Sequence, residues 1–371
     1  MTCKVIFKYF ESWVPKEIAW QKDNVGLQVG LTEREIKNIL LCLEVTDETL
    51  DDAIKKDCNL IITHHPLLFN PLKKIDLHKD KTSKIIEKLI KNDITLYSAH
   101  TNLDFTKDGV SFALAKTLGL KKINFLVESK SNQLKLVVFV PVDYADKVAE
   151  AIFENGGGEI GEYSNCSFRT GGKGTFKGSD KSKPTAGKED IEEKVDEVKL
   201  EVILDSWKLK GILQAVLKIH PYEEAAYDIY PLENSNSKYG AGASGILENP
   251  MAPKEFLKYV SEKLRLKNFR FVEGRNNQIT KVAVCGGAGT DLIKEAIASN
   301  ADAFITADIK YHTFHDAAGE ILLIDAGHYE TEIFSLNEVQ RRLENIIGKS
   351  NSQIKVFKYN GSTNPIIFYN N

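Results

Sequence analysis

Cysteine is scarce in this sequence, and the few cysteines form no recognisable pattern. There are five in 371 residues, an odd number, with wide spacing and no Cys-x-x-Cys pair. They are Cys3, Cys42, Cys58, Cys166 and Cys285. This spacing indicates neither a disulfide framework nor a cysteine nucleophile, and it favours reduced, mostly buried thiols in a cytoplasmic protein.

The sequence also lacks long apolar runs and blocks of like charge. Forty-nine basic residues against 52 acidic ones give a net charge of −3, and no basic block indicates a nucleic-acid partner. No apolar run approaches membrane-spanning length, and Met1–Phe7 lacks the core of a signal peptide. With 42% hydrophobic residues, the chain predicts two or three soluble domains in the cytoplasm, with no membrane partner.

Two histidine–carboxylate pairs stand out against this ordinary composition. His100 lies four residues before Asp104, and His328 lies four residues before Glu332. Each pair follows an apolar run that ends in small residues. Four residues is close to one helical turn, so both side chains of a pair can face one point. Imidazole and carboxylate ligands without cysteine suit a divalent zinc, manganese, iron, cobalt or nickel ion.

A further motif contains two adjacent histidines, His64 and His65, followed by Pro66. Neighbouring side chains on a strand point to opposite faces, so both cannot reach one ion while the strand stays extended. At the end of the strand they can turn toward two ions that a carboxylate bridges, and Glu332 has a longer reach than Asp104. The alternative is that the two histidines merely cap a strand.

The sequence around these motifs repeats within the chain. At a constant offset of 243 residues, Cys42 aligns with Cys285 and Thr63 aligns with Thr306. Each copy predicts an apolar strand, an amphipathic helix and a second apolar strand, hence a βαβ unit and a parallel sheet. The offset falls to 228 residues at the two histidine–carboxylate pairs. We predict an internal duplication; the alternative is the general similarity of all βαβ units.

The two copies differ where chemistry is expected. His64 and His65 align with Ala307 and Asp308, so only the first copy offers paired histidines. Ligands of open parallel sheets lie at the carboxyl ends of the strands, where all of these motifs fall. We therefore predict two lobes that face each other across one cleft.

A segment of different character separates the lobes. Residues 1–127 are predicted to form the first lobe and residues 236–371 the second. Residues 128–235 predict the order β-α-β, loop, β-α-β, which is that of a ferredoxin-like module. The loop, Gly171–Asp196, is rich in glycine, lysine, serine and glutamate and is predicted to be mobile.

Three smaller features leave alternatives open. Gly286–Thr290 lies between a predicted strand and a helix, where it could bind a phosphate or form a tight turn. His220–Glu224 could bind a ligand or form a turn that orders Tyr222. Trp13 and Trp20 lie seven residues apart, which predicts core residues on one face of a helix.

Four motifs, in this order, resemble the signatures of the Nif-three-like family. They are Asp23–Gly30, Thr63–Pro66, Ala99–Asp104 and Gly327–Glu332. Bacterial members of that family are often called GTP cyclohydrolase I type 2 homologues. The central segment, with His220–Ala225, resembles the insert of the longer members, which is similar to PII-type signalling proteins and CutA.

The resemblance implies an α/β fold of two duplicated lobes with an inserted PII/CutA-like domain, assembled as a toroidal homohexamer. It also implies two divalent metal ions per chain between the lobes, with zinc preferred over manganese, iron, cobalt or nickel. The ligands implied on this chain are His64, His65, Asp104, His328 and Glu332, with Glu332 bridging.

His100 has no ligand role in the pattern that the resemblance implies. It could be a catalytic acid or base, could orient water, or could donate to a ligand carboxylate. The alternative is a hydrogen-bonded loop histidine without a chemical role.

We predict a dinuclear-metal hydrolase that acts on a small, nucleotide-like or phosphate-bearing molecule. The family name points to opening of the imidazole ring of GTP with release of formate. The rival hypothesis is a metal-binding or metal-delivering regulatory protein, in which the PII-like insert senses a ligand. Five protein ligands shared by two ions leave coordination positions open, which favours the hydrolase.

Overall fold

The computed structural model describes residues 1–177, 192–350 and 352–369, which form an α/β fold with three mixed or antiparallel sheets. The strands are β1 (Gly26–Val29), β2 (Ile39–Cys42), β3 (Leu60–Thr63), β4 (Thr95–Ser98), β5 (Lys121–Ser129), β6 (Gln133–Pro141), β7 (Phe168–Lys177), β8 (Glu192–Asp205), β9 (Tyr227–Pro231), β10 (Asn236–Met251), β11 (Arg270–Val272), β12 (Ile279–Ala288), β13 (Ala303–Ala307), β14 (Leu322–Asp325) and β15 (Val356–Lys358). The α-helices are α1 (Cys3–Trp13), α2 (Asp47–Lys55), α3 (Lys81–Lys91), α4 (Thr101–Asp104), α5 (Val110–Thr117), α6 (Ala145–Glu154), α7 (Leu209–Ile219), α8 (Pro253–Leu264), α9 (Ile293–Ala298), α10 (Tyr311–Ala317), α11 (His328–Glu332) and α12 (Ser335–Lys349).

The α/β class predicted from the sequence is confirmed. The described residues divide into two compact units, one made of Met1–Val127 with the described residues after Lys238, the other of Glu128–Lys238. None of the helices in the described ranges combines the length and apolarity that a membrane crossing requires.

The first sheet has the strand order β1-β4-β3-β2-β15. β4, β3, β2 and β15 run parallel, and β1 is antiparallel to β4 at the edge. Every residue of β2 and β3 is buried, because helices cover both faces of the sheet, as parallel sheets require. Apolar residues of α1 and α12 pack on one face, and those of α2 and α3 pack on the other.

The second sheet has the strand order β11-β14-β13-β12-β10-β5. β14, β13 and β12 run parallel, and β11 is antiparallel to β14 at the edge. α5 and α8 contribute to the core on one face, and α9 and α10 contribute to the core on the other. Both sheets therefore share a run of three parallel strands between covering helices, β2-β3-β4 in the first and β12-β13-β14 in the second, with an antiparallel strand beyond the third.

The strand registers of the two sheets follow the sequence repeat. Ile39 lies opposite Leu60 in the first sheet, and Val282 lies opposite Ala303 in the second. These two pairs are related by the same offset of 243 residues that aligns the sequences. The aligned positions therefore occupy equivalent places in two parallel ladders.

One glycine accounts for the difference of one residue between the offset of the strand ends and that of the histidine–carboxylate pairs. Ser98 ends β4 and Asp325 ends β14, and both lie opposite the last threonine of the aligned strands, at an offset of 227 residues. Gly327 is the additional residue before the second pair, and its φ of +90° is a conformation that glycine adopts at little cost. The offset between His100 and His328 is consequently one residue larger than the offset between the ends of β4 and β14.

The unit Glu128–Lys238 follows the order β-α-β-β-α-β, and its sheet has the order β7-β8-β6-β9. The prediction of a mobile loop at Gly171–Asp196 is wrong at both ends of that segment. β7 and β8 pair in an antiparallel hairpin whose register runs to Lys177 opposite Glu192. Backbone hydrogen bonds between strands do not need apolar side chains. The sequence of this polar, exposed hairpin therefore shows no alternation of apolar and polar residues. Residues 178–191 lie outside the described residues.

The prediction that Trp13 and Trp20 share one face of a helix is also wrong. Trp13 ends α1, and its ring packs against Phe10, whereas Trp20 lies after a short 3-10 turn. Pro15 cannot continue the hydrogen-bonding pattern of α1, so the heptad spacing does not correspond to one helix. The Trp20 side chain is 60% exposed.

Candidate metal centre

The paired histidines follow β3 directly, at its carboxyl end. The backbone N–H groups of His64 and His65 donate to the carbonyls of Cys42 and Leu43, which extends the parallel ladder beyond the strand. The Thr63 hydroxyl then donates to the carbonyl of His65, so the chain turns there. This turn frees the two imidazoles from the alternation of an extended strand, and their ring centroids lie 4.8 Å apart.

The two histidine–carboxylate pairs lie on the short helices α4 and α11, as their spacing predicted. His100 is the residue before α4 and Asp104 is its last residue. His328 and Glu332 are the first and last residues of α11. Both helices begin just after parallel strands, so the pairs reach the same edge of their sheets as the paired histidines.

Glu332 is where side chains from both sheets meet. Its Oε1 lies 3.0 Å from His328 Nε2 and 3.6 Å from His64 Nε2, and its Oε2 lies 3.2 Å from His65 Nε2. Asp104 Oδ1 lies 3.6 Å from His64 Nε2 on another side. The structure thus brings together all five side chains that the sequence indicated as ligands.

The paired histidines present the same ring nitrogen to this point because the other is already engaged. His64 Nδ1 lies 2.9 Å from the carbonyl oxygen of Ala99, and His65 Nδ1 lies 2.8 Å from Glu44 Oε1. Histidine ligands of metals characteristically donate their second nitrogen to such acceptors, which fixes the ring orientation. Glu44 was missed by sequence reasoning, and nothing in its local pattern marked it.

The other two histidines are held in the same way by aspartates. His100 Nδ1 lies 2.9 Å from Asp23 Oδ1, and His328 Nδ1 lies 2.7 Å from Asp308 Oδ2. Sequence reasoning assigned neither aspartate a role. Asp308 aligns with His65 in the repeat, which was the signal that could have found it. Asp23 opens one of the four family-like motifs.

His100 lies close enough to the paired histidines to be a metal ligand itself. The ligand atoms of His64, His65 and His100 lie within 4.8 Å of one another, and so do those of His65, His328 and Glu332. Two overlapping groups that share His65 could therefore each hold a metal ion.

Three buried polar atoms at this point have no hydrogen-bond partner in the described residues. They are His64 Nε2, Asp104 Oδ1 and Glu332 Oε2. The His64 and Glu332 side chains are only 1% and 3% exposed, so leaving these atoms unpaired would be costly. A divalent cation would satisfy all three atoms, so the residues fit a metal ion.

The pKa values of the clustered histidines are raised because carboxylates lie close to their imidazoles. Burial opposes protonation of His65, but the facing carboxylates of Glu332 and Glu44 raise its pKa to about 10. The hydrogen bond to Glu332, only partly opposed by burial, raises the pKa of His328 to about 9. Burial disfavours the charge of Glu332, yet the facing imidazoles hold its pKa well below the usual range. A divalent ion would therefore replace protons on these imidazoles.

Gly286 and Gly287 belong to the end of β12 and Gly289 follows it, and the N–H groups of Gly287 and Gly289 are not available to a phosphate. Gly287 N donates to the Thr331 hydroxyl and Gly289 N donates to the Thr306 hydroxyl, each over 2.9 Å. A Cβ on Gly287 would lie 2.4 Å from Glu332 Oε1. Gly287 therefore lets the backbone approach the Glu332 carboxylate, and these two engaged N–H groups give no support to the phosphate alternative.

The turn at His220–Glu224 is explained within its own unit. His220 Nε2 lies 2.9 Å from the carbonyl oxygen of Phe139, and His220 Nδ1 accepts from the backbone N–H of Tyr222. Both ring nitrogens are thereby engaged, and the rings of His220 and Tyr222 are in edge contact. The geometry supports the turn and offers no free imidazole to a ligand.

Known proteins resemble this chain over its whole length. A family model described as Duf34/NIF3 (NGG1p interacting factor 3) matches residues 1–365. A Bacillus subtilis protein named "GTP cyclohydrolase 1 type 2 homolog" is 39% identical over 365 residues, which cover 98% of this chain and 97% of that protein. A Halalkalibacterium halodurans protein of the same name is 39% identical over 367 residues, 98% of each chain.

A solved structure resembles the whole chain as well. The crystal structure of a Bacillus cereus protein related to NIF3 superposes with a TM-score of 0.86 at 37% identity, covering 100% of this chain and 99% of that one. The structural likeness therefore includes both compact units.

Proposed function

The chain belongs to the Duf34/NIF3 family, and from that membership we propose that it uses a dinuclear metal centre to hydrolyse a small, nucleotide-like or phosphate-bearing molecule. The family resemblance inferred from the four motifs is thereby confirmed. The observation that carries the proposal is the set of buried, unpaired ligand atoms on His64, Asp104 and Glu332. Buried polar atoms without partners are costly to maintain, and a bound cation would remove that cost.

The proposed ligands are His64, His65, Asp104, His328 and Glu332, with Glu332 shared because its two oxygens face imidazoles of both sheets. Two divalent ions, zinc first, would supply Lewis-acid chemistry for hydrolysis. The supporting acceptors keep each Nε2 directed at the centre and fix the ring tautomers.

His100 is our candidate for proton transfer. Asp23 accepts from its Nδ1, and the His100 ring lies edge-on to the rings of His64 and His65, with centroids 5.2 and 5.4 Å away. In this position Nε2 can hold or release a proton beside the ligands, or can itself join them. His100 also lines a cavity of about 290 Å³, where a substrate would lie.

The name of the curated relatives suggests a finer hypothesis for the substrate. Proteins called GTP cyclohydrolase 1 type 2 homologues are similar to this chain at about 39% identity. Opening a purine ring with loss of formate is a hydrolysis, which this type of centre suits. We propose purine compounds as the first substrates to be examined, with GTP as the reference compound.

The second candidate is a regulatory protein that binds metal without turnover. The unit Glu128–Lys238 contains a cavity of its own, of about 320 Å³, whose lining includes Lys135, Phe168 and Glu201. An insert that senses a ligand would need such a cavity. We regard this unit as a PII/CutA-like insert and the two parallel sheets as duplicated lobes, on the evidence of strand order and register.

The assembly and cellular setting of the protein stay predictions. We expect a toroidal homohexamer in the cytoplasm that binds a small molecule and neither nucleic acid nor membrane. Size measurement in solution, together with the metal analysis below, would examine the assembly directly.

Metal analysis and a turnover assay test the proposed function together. Protein purified without chelator should contain two divalent ions per chain. After stripping, restored manganese, cobalt or zinc should support weak hydrolysis at rates that depend on the ion. A single equivalent of metal contradicts the dinuclear centre. Rapid metal exchange without turnover of any nucleotide or phosphoester would favour the carrier.

A further inference from the structure

The cavity beside the candidate metal centre is lined by two kinds of residue. The polar, titratable part of the lining includes Asp104, His328 and Glu332, together with His100. Most of the remaining lining is apolar side chains and glycine backbone, including Trp20 and Phe105. Its volume of about 290 Å³ is at the lower limit of small-molecule sites, which are roughly 300–1,000 Å³.

An exposed tryptophan forms part of the apolar lining. Trp20 is 60% exposed, and its ring lies 6.0 Å from that of Phe105, between centroids. The backbone N–H of Trp20 donates to the Thr101 hydroxyl, which in turn donates to Asp23. The carboxylate that orients His100 therefore also positions the backbone of Trp20, and this places its ring in the lining of the cavity, beside Phe105.

The charges of the lining argue against a polyphosphate chain. No lysine or arginine is among the described residues that line the cavity, and outside the candidate metal ligands the only carboxylate there is Asp291. The N–H groups of Gly286 and Gly289 nearby already donate to the Ser111 and Thr306 hydroxyls. Phosphate sites are normally built from cationic side chains, free N–H groups or metal ions. Beyond the candidate metal ligands, the described lining supplies no cationic side chain for a chain of several phosphates.

We propose that this cavity binds a planar heteroaromatic compound without a polyphosphate chain, such as a nucleobase or nucleoside, whose ring stacks on Trp20. The polar edge of that ring points toward His100 and the metal ligands, and the apolar face covers Trp20 and Phe105. This proposal rests on the proposed metal centre, and it narrows the substrate class to heterocycles without a polyphosphate chain. Aromatic stacking suits such ligands because every base has a π-face.

Binding of guanosine and adenosine to the full-length, metal-loaded protein, measured by calorimetry beside GTP and ATP, tests this inference. The nucleosides should bind at least as tightly as the triphosphates. Trp20→Ala should weaken nucleoside binding about 10-fold, the effect of losing one stacking partner, while Trp20→Phe should retain most of it. Metal content should be unchanged in both variants.

A matched control is Tyr311→Ala, which removes an aromatic side chain that is 70% exposed and is not part of the cavity lining. Its nucleoside affinity should equal that of the unaltered protein. Equal losses in Trp20→Ala and Tyr311→Ala, tighter binding of GTP than of guanosine, or no binding of either nucleoside would overturn the inference. If the protein instead retains no metal, the proposed metal centre fails, and that outcome is separate from the binding result.

Discussion

The two mixed sheets bring equivalent strand ends to one candidate site, but the residues that follow these strand ends differ. β3 is followed by His64 and His65, whereas the equivalent β13 ends at Ala307 and is followed by Asp308. The second residue after the aligned threonine is His65 in the first sheet, and its imidazole faces Glu332. In the second sheet it is Asp308, whose carboxylate accepts from His328 Nδ1. The comparison teaches that one scaffold position can carry either a proposed metal ligand or the support of one.

The largest effect is expected at Glu332, where the contributions of the two sheets meet. Glu332→Gln removes the charge that faces three imidazoles. Metal affinity should fall by at least about 100-fold, since loss of a group that only supports a ligand already lowers it roughly 10–100-fold. Glu330→Gln is the control, because Glu330 accepts from Asn364 and has no contact with the cluster imidazoles. Titration with a competing chelator measures both, and equal losses would show that the shared-carboxylate assignment is incorrect.

A smaller loss is expected from the support of the second sheet. Asp308→Asn leaves His328 in place but removes the negative acceptor of its Nδ1, so metal affinity should fall about 10-fold. Asp23→Asn should have a comparable effect only if His100 is itself a ligand. If Asp308→Asn binds metal as well as the unaltered protein, the equivalence between ligand and support positions does not hold.

The pH dependence of stability should distinguish stripped from metal-loaded protein. His65 and His328 have pKa values raised to about 10 and 9, above the usual value for the unfolded chain. Their contribution to the stability of stripped protein is therefore complete below about pH 6.5 and is lost as the pH rises through 9 and 10. Denaturant unfolding of stripped protein, minus that of stripped Glu332→Gln, should show this decline. A difference that grows between pH 7 and 10 would refute it.

The smallest effect on the centre is expected from removal of the unit Glu128–Lys238. β5 and β10 are neighbours in the second sheet, and a Cβ on Gly240 would lie only 2.4 Å from the carbonyl oxygen of Val127. A short linker from Val127 to Tyr239 should therefore close the chain, and the product should stay soluble and keep its metal. An aggregated or metal-free product, judged by size measurement and metal analysis, would show that the unit is structural.

Local patterns predicted most of what positions the site. The buried strands before the histidines are continuous apolar runs, and the histidine–carboxylate pairs have helical spacing, so α4, α11 and the turn after β3 follow from short-range rules.

The parts that were missed depend on distant contacts. Glu44 supports His65 from the loop after β2, and no local signal separates it from any exposed glutamate. Trp20 was assigned to a helix face because periodicity ignores the effect of Pro15. The hairpin of β7 and β8 is stabilised by pairing between strands, which composition does not record. Such features become visible only when the chain is folded.

The sharing of Glu332 between the two sheets has a consequence for the order of folding. His64 and Glu332 are separated by most of the chain, including the whole unit Glu128–Lys238. Closing so long a loop costs conformational entropy, and the contact forms only after both sheets have docked. Metal uptake should therefore be a late event that reports completed assembly of both halves. Once metal is bound, it should oppose separation of the two sheets, since the sheets can separate only after their side chains release the metal.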